Sequence, residues 1–411
     1  MSVGFRRNAA VIGSLLLFCS LGLGAWEQLN SGTTAELHSV HFPEGTQVGY
    51  TVGEVNESLG GYSVVVKTTD GGATWQTQNV GPYGMLNSVY FKDNNNGYAV
   101  GDFGAAIRTT DGGANWTSMT VGVAEDLTRI QFPEDGQVGY IFTHPASPPS
   151  VLFKTTDGGS SWSAISVGGP SGVTRGGGFA NDTVGVVVGE DGLVLGTDGP
   201  QDAQTNADLV AVAFSPTDPN RAYLIGNDST RGLIRYTHDG GATPWDSVRC
   251  WPTAAFYGID MPTSTVAYVC GTGGVIMASI EPDDFYRTRT PDSTNTLFGL
   301  CFPVGLDTGY AVGAGGTILR TYDHGLFWIP WIAENSRRAL SQSGIRIVSN
   351  PSRHGITFQA EADVHVAVFD ATGRVVMSRA ASEGLNFLPL SKAGAYFVKA
   401  GAQTVRVVLT E

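Results

Sequence analysis

KTTDGGATW, residues 67–75, decides the fold because it recurs. Further copies read RTTDGGANW (108–116), KTTDGGSSW (154–162), YTHDGGATPW (236–245) and RTYDHGLFW (320–328). Fainter ones stand at GTDGP (196–200) and around ASIEPDD (278–284). Aligned on the acidic position, Asp70, Asp111, Asp157, Asp198, Asp239, Glu281 and Asp323 are spaced by 41, 46, 41, 41, 42 and 42 residues. A near-constant period of this length is the signature of a repeat architecture.

Upstream of each box come two more elements. One is an apolar strand, as in LHSVHF (37–42), LNSVYF (86–91), LTRIQF (127–132), LVAVAF (209–214), FYGIDM (256–261) and LFGLCF (297–302). The second is GYAVG or a variant, ending at 53, 101, 143, 189, 226, 271 and 313. Each unit therefore reads strand, turn, strand, loop, strand, box turn, strand. Four-stranded sheets of about 40 residues repeated around an axis make a β-propeller, and seven units predict seven blades.

The box has a role in that scaffold. Its paired glycines supply backbone angles that other residues avoid, and its aspartate can accept hydrogen bonds from the turn's own amides. Asp70, Asp111, Asp157, Asp239 and Asp323 are thus read as turn locks. Trp75, Trp116, Trp162, Trp245 and Trp328 are read as packing residues of the strands that follow.

The pattern S/T-x-D-x-G-x-T-W resembles the Asp-box of bacterial sialidases, some propeller glycoside hydrolases, sortilin-type receptors and the photosystem II stability/assembly factor family. The whole unit, GYAVG before GAAIRTTDGGANW, looks most like the last of these over residues 26 to about 336. The resemblance implies the fold and a loose idea of protein assembly. The assembly factors' arginine-rich partner patch has no counterpart here, where residues 26–344 hold 15 Lys and Arg against 32 Asp and Glu.

That acidity argues against nucleic acid and anionic membrane surfaces as partners. The first 25 residues, with Arg6 and Arg7 ahead of AVIGSLLLFCSLGLGA, read as a cleavable secretory signal peptide, with no transmembrane segment after its removal. Glycine, 56 of 411 residues, and a charged fraction of 15% belong to a turn-rich all-β chain.

No cofactor, metal or catalytic residue is assigned. Arg108, Lys154, Arg235 and Arg320 share one slot before the box, so a sialidase-type arginine cluster is not expected. His38 and His41, three apart on a strand, are expected on opposite faces. DNNNGY (93–98) has Gly97 where a calcium loop needs an oxygen ligand and reads as a turn. Cys250, Cys270 and Cys301 remain after the leader, and a Cys270–Cys301 disulfide is left open. The candidate binding rim is the face opposite the box turns, at Glu54, Asp102, His144, Glu190, Asp191 and Asp228.

After Trp331 the repeat stops, with a polar linker over 337–344. Strict alternation at Val364, Val366 and Val368 predicts a half-buried strand, Asp370 to Gly373 a turn, and residues 345–411 a small β-sandwich. SNP (349–351), VFDATGRVV (368–376), LPL (388–390), GAYFVKA (394–400) and VRVVL (405–409) resemble, in order, the C-terminal sorting domain of the type IX secretion system. That resemblance implies export to the cell surface or beyond, with the secretion machinery as a partner.

The expectation is an all-β, seven-bladed β-propeller (26–336) followed by a small C-terminal β-sandwich. Its expected role is a non-catalytic secreted or surface module that binds a protein or glycan. The alternative is a glycan-active hydrolase using carboxylates at the channel mouth.

Overall fold

The computed structural model describes residues 26–55, 62–78, 80–81, 83–134, 136–146, 151–167, 172–229, 231–248, 250, 254–264, 266–281, 284–288, 290–291, 294–303 and 308–322, and in the tail 345–347, 355–360, 364–370, 374–381, 384–390, 394–400 and 403–409. Asp323, Trp328, the leader and the linker lie outside these residues.

Seven four-stranded antiparallel sheets carry the repeats. Sheets one to six run over 36–78, 86–118, 126–166, 174–200, 208–248 and 256–287, with strands paired in chain order. The architecture is a β-propeller. Its GYAVG strands, buried along their whole length at 97–101 and 309–313, form the interior of each sheet. Sheet four opens on Thr174–Phe179, whose three consecutive glycines hide it from an apolar pattern. A Cβ on Gly176 would lie 2.2 Å from the Val210 carbonyl oxygen of sheet five, so only glycine allows that approach.

The seventh sheet departs from the expected order. Its first three strands are Leu297–Cys301, Gly309–Gly313 and Thr317–Thr321, but its outer strand is Glu27–Leu29, paired antiparallel with residues 318–320. Arg320 clasps this closure. Its Nε and Nη2 donate to Glu27 Oε1 at 2.9 and 2.7 Å, and its Nη1 donates to the Gly71 carbonyl of sheet one at 2.8 Å. Trp26, 2% exposed, packs edge-on against Phe302 at 5.8 Å.

The boxes hold their turns through the aspartate. Thr74 donates to Asp70 from its hydroxyl (2.6 Å) and its amide (2.9 Å), and the Thr68 hydroxyl donates at 2.8 Å. These bonds keep the Asp70 carboxyl at about 2. Asn115 does the same for Asp111, also at about 2, and Ser161 holds Asp157 well below the carboxylate range. Asp239 is lowered by Thr243.

Four of the boxes, in sheets one, two, three and five, also serve the sheet before them. Tyr50 of sheet one stacks on Phe91 of sheet two at 3.5 Å and donates its hydroxyl to the Gly112 carbonyl at 2.9 Å. Tyr98 reaches Gly158 of sheet three, and Tyr310 of sheet seven reaches Gly71 of sheet one at 2.8 Å. Sheet four has Val186 where the tyrosine would stand, and there Gln201 donates to Gly240 at 2.8 Å instead.

In the tail, a three-stranded and a four-stranded sheet share one apolar core, with Ile356, Phe358 and Leu388 from the first and Val366, Val368, Val398 and Val407 from the second. Arg374 closes the Asp370 turn, donating its amide to Asp370 Oδ1 at 3.1 Å. Cys250, Cys270 and Cys301 are free thiols. Among the described residues no helix is long and apolar enough to cross a membrane.

Trp26→Ala is expected to cost about 3–5 kcal/mol, the range for emptying a buried tryptophan site. Trp162→Ala, at a partly exposed site, should cost less, and denaturant titration of the two variants measures the difference. Acidification should also weaken the boxes. Depressed aspartates contribute stability that is present above their ordinary value near 3.8 and lost as pH falls toward about 2. An Asp70→Asn variant should show a shallower stability loss than the parent in that window.

Candidate functional site

The box turns fix which face is which. Gly71, Gly112, Gly158 and Gly240 donate their amides to Gln47, Asn95, Gln137 and Asn220, in the turns between first and second strands, at 2.8–2.9 Å. Those two sets of turns therefore share one face. The loops between second and third strands leave from the other ends of the strands. DNNNGY is one of the turns between first and second strands: Asp93 Oδ1 accepts the amides of Asn95 and Asn96 at 2.7 Å.

A β-bulge in every first strand shapes the opposite face. The strand pairing shifts at one residue in each sheet: His38, Asn87, Thr128, Arg175, Val210, Tyr257 and Phe298. The extra residue reverses the inward and outward alternation. His38 and His41, expected on opposite faces, consequently both line the central cavity. They still do not meet at one site: the His38 ring lies 5.0 Å from Phe298 of sheet seven, and His41 lies 4.5 Å from Tyr90 of sheet two.

The bulge residues meet the rim residues foreseen in the sequence. Asn87 donates to Asp102 Oδ1 at 2.7 Å. Arg175 Nη2 stands 2.8 Å from Glu190 Oε1 and 3.2 Å from Asp208 Oδ2 of the next sheet. His144 Nε2 lies 3.8 Å from the same Glu190 oxygen. Glu54 falls beside Glu36 and His38, and burial, then the charges of Glu36 and Asp102, raises its carboxyl above the usual range. Asp191 and Asp228 are exposed, Asp228 further out at the end of a long hairpin.

Two rim loops carry side chains where glycine would be expected. Phe103 (φ 55°) and Asp191 (φ 53°) occupy the left-handed region that Gly273 and Gly315 hold in sheets six and seven. Phe103 is 81% exposed, and its amide donates to Asp126 Oδ1 at 3.0 Å. A large apolar side chain at positive φ, turned to solvent, has no packing reason to be there.

Below the mouth, first strands from all seven sheets line a cavity of about 650 Å³. Its polar groups tie the sheets together. Arg129 Nη1 donates to the Val212 carbonyl of sheet five at 3.2 Å, past the glycines of sheet four. Asp260 accepts the amides of Phe302 and Met261 at 2.7 and 2.8 Å, and burial pushes its carboxyl up to about 6. His41 Nδ1 accepts the Phe91 amide at 3.2 Å, and burial pushes the imidazole down to about 4.

Glu36, Phe103, Arg129, Arg175 and Asp260 were not singled out from the sequence, and His38 was considered only with His41. Glu36 and His38 are two apart on one strand, and that spacing was the available signal. The cross-sheet partners of Arg129 and Arg175 left none.

A family model described as photosynthesis system II assembly factor YCF48 matches residues 79–174. No curated protein matches the chain. Among solved structures, one of YCF48 bound to a D1 peptide is 22% identical, with TM-score 0.56, covering 72% of this chain and 94% of that one. YCF48 from Cyanidioschyzon merolae is 16% identical with TM-score 0.57, over 73% and 99%. The WD40 β-propeller domain of Doa1 is 12% identical with TM-score 0.56, over 73% and 96%. These likenesses show a YCF48-like β-propeller fold.

A carboxyl raised by burial opposes folding in its charged form, so Asp260 should remove stability as pH rises from near 3.8 through about 6. Relative to the parent, Asp260→Asn should therefore gain denaturation midpoint across that interval and hold the gain above it. A parent that gains on the variant instead would mean that Arg129 makes the carboxylate the favoured form.

Proposed function

We propose that the seven sheets form a complete seven-bladed ring, and that this ring is a non-catalytic module that holds a peptide segment of a partner protein. The peptide lies on the rim of the second-to-third strand loops, around the channel mouth. The observation that carries this reading is Phe103, an exposed aromatic held at positive φ next to Asp102 and with its amide on Asp126. An aromatic anchor within a charged rim is the composition of an interface hot spot, and the acidic surroundings favour a segment bearing Lys or Arg. The YCF48 structure with a bound D1 peptide lends support, as a propeller of similar fold that takes a peptide.

Residues 345–411 complete the proposal as a sorting β-sandwich of the type IX kind, delivering the protein to the cell surface or beyond after leader removal. The motif order and the apolar core shared by the two tail sheets support it.

A second reading, a glycan hydrolase, draws on Glu36 and Glu54. Their oxygens approach within 4.8 Å, and Glu54 is raised in the manner of a general acid.

Immobilised full chain, offered matched sets of basic and acidic peptides and a polysaccharide panel, separates the two. Retention of basic peptides, weakened about tenfold by Phe103→Ala and by added salt, is the expected result. Release of new reducing ends, abolished in Glu54→Gln, would replace the binding reading with the hydrolase.

A further inference from the structure

The bulge in sheet one does more than reverse the strand's alternation. One donor atom each from Glu36, His38 and Glu54 lies within 4.8 Å of the other two. Glu36 and Glu54 are directly paired at the end of the strand ladder, and like charges so placed repel. Asp102 of sheet two adds a third negative charge nearby, acting on both His38 and Glu54. Among the described residues no Lys or Arg pairs with either glutamate. His38 Nε2 is buried and has no hydrogen-bond partner.

The scaffold does not call for this grouping. The corresponding three positions are Met85, Asn87 and Asp102 in sheet two, and Thr296, Phe298 and Ala314 in sheet seven. Two converging carboxylates and an unpaired imidazole nitrogen are a donor set waiting for a positive charge.

We propose that Glu36, His38 and Glu54 bind a divalent cation of the zinc class, with the imidazole and one oxygen from each glutamate as its three protein ligands. A mixed nitrogen and oxygen set suits zinc, whereas calcium and magnesium favour oxygen throughout. A ligating imidazole needs a free lone pair, and no hydrogen bond occupies His38 Nε2. With three ligands from the protein, a tetrahedral ion keeps one position free. The proposal rests on the geometry of sheet one and stands apart from the peptide reading.

The test is calorimetric titration of Zn²⁺ into the full chain after chelator treatment and dialysis. The expected result is one tight equivalent, with affinity lowered at least about tenfold in both His38→Ala and Glu54→Gln, since even outer partners of metal ligands cost about 10–100-fold. Asp246→Asn, at an exposed residue on the outer strand of sheet five, should bind as the parent does. Glu54 is partly exposed and accepts no hydrogen bond among the described residues, so its amide variant keeps the fold, which circular dichroism verifies. Absence of a stoichiometric equivalent, or uptake unchanged in both variants, overturns the site. Displacement of zinc by an equal concentration of Ca²⁺ overturns the assignment to the zinc class.

Discussion

The buried hydroxyl of the second-strand tyrosine is the constraint on which the ring depends. A phenol hydroxyl taken out of water must find an acceptor, or it costs about 1–3 kcal/mol. Tyr50, Tyr98 and Tyr310 each find one on the neighbouring sheet, at the first glycine carbonyl of its box. The Asp-box is therefore a latch for the preceding sheet as well as a hairpin turn. Its aspartate holds the loop so that the carbonyl points at the neighbour. A Cβ on Gly72 would sit 2.9 Å from the Tyr310 ring, so the second glycine keeps room for the same contact. Gln201 shows that the acceptor matters more than the donor's identity: where sheet four lacks the tyrosine, an amide takes over the bond.

Much of this was legible in the sequence. The box, the apolar first strand and the GYAVG strand each perform one local task at fixed spacing, so the sheet pattern follows from the letters. Glu27–Leu29 could not be read, because three residues show no periodicity and their partner strand lies at the other end of the propeller. Thr174–Phe179 escaped because glycines replace its apolar side chains. The loops between second and third strands were expected opposite the box turns, and the strand directions put them there. The side-chain pairings at those loops depend on the bulge, however, which leaves no mark in composition yet changes the face of every residue after it.

The same bulge divides each first strand into two parts with different surroundings. Below it, side chains such as Gln131, which exchanges two hydrogen bonds with the Phe179 backbone, bind sheet to sheet. Above it, the extra residue in each sheet is released from ladder pairing and can vary. Across the seven sheets it is histidine, asparagine, threonine, arginine, valine, tyrosine and phenylalanine, which makes the mouth polar on one side and apolar on the other.

The outer strand of the seventh sheet bears on how the chain reaches its native state. Arg320 and Glu27 stand 293 positions apart, so their pairing joins the earliest part of the propeller to nearly the last. Contacts of such separation carry the largest loop-closure entropy and form slowly. Until they form, the edge of Thr317–Thr321 offers unpaired amides and carbonyls to any extended chain. In the closed propeller those three residues cover that edge, so one of the shortest strands of the fold is also the one that leaves Thr317–Thr321 with no open side there.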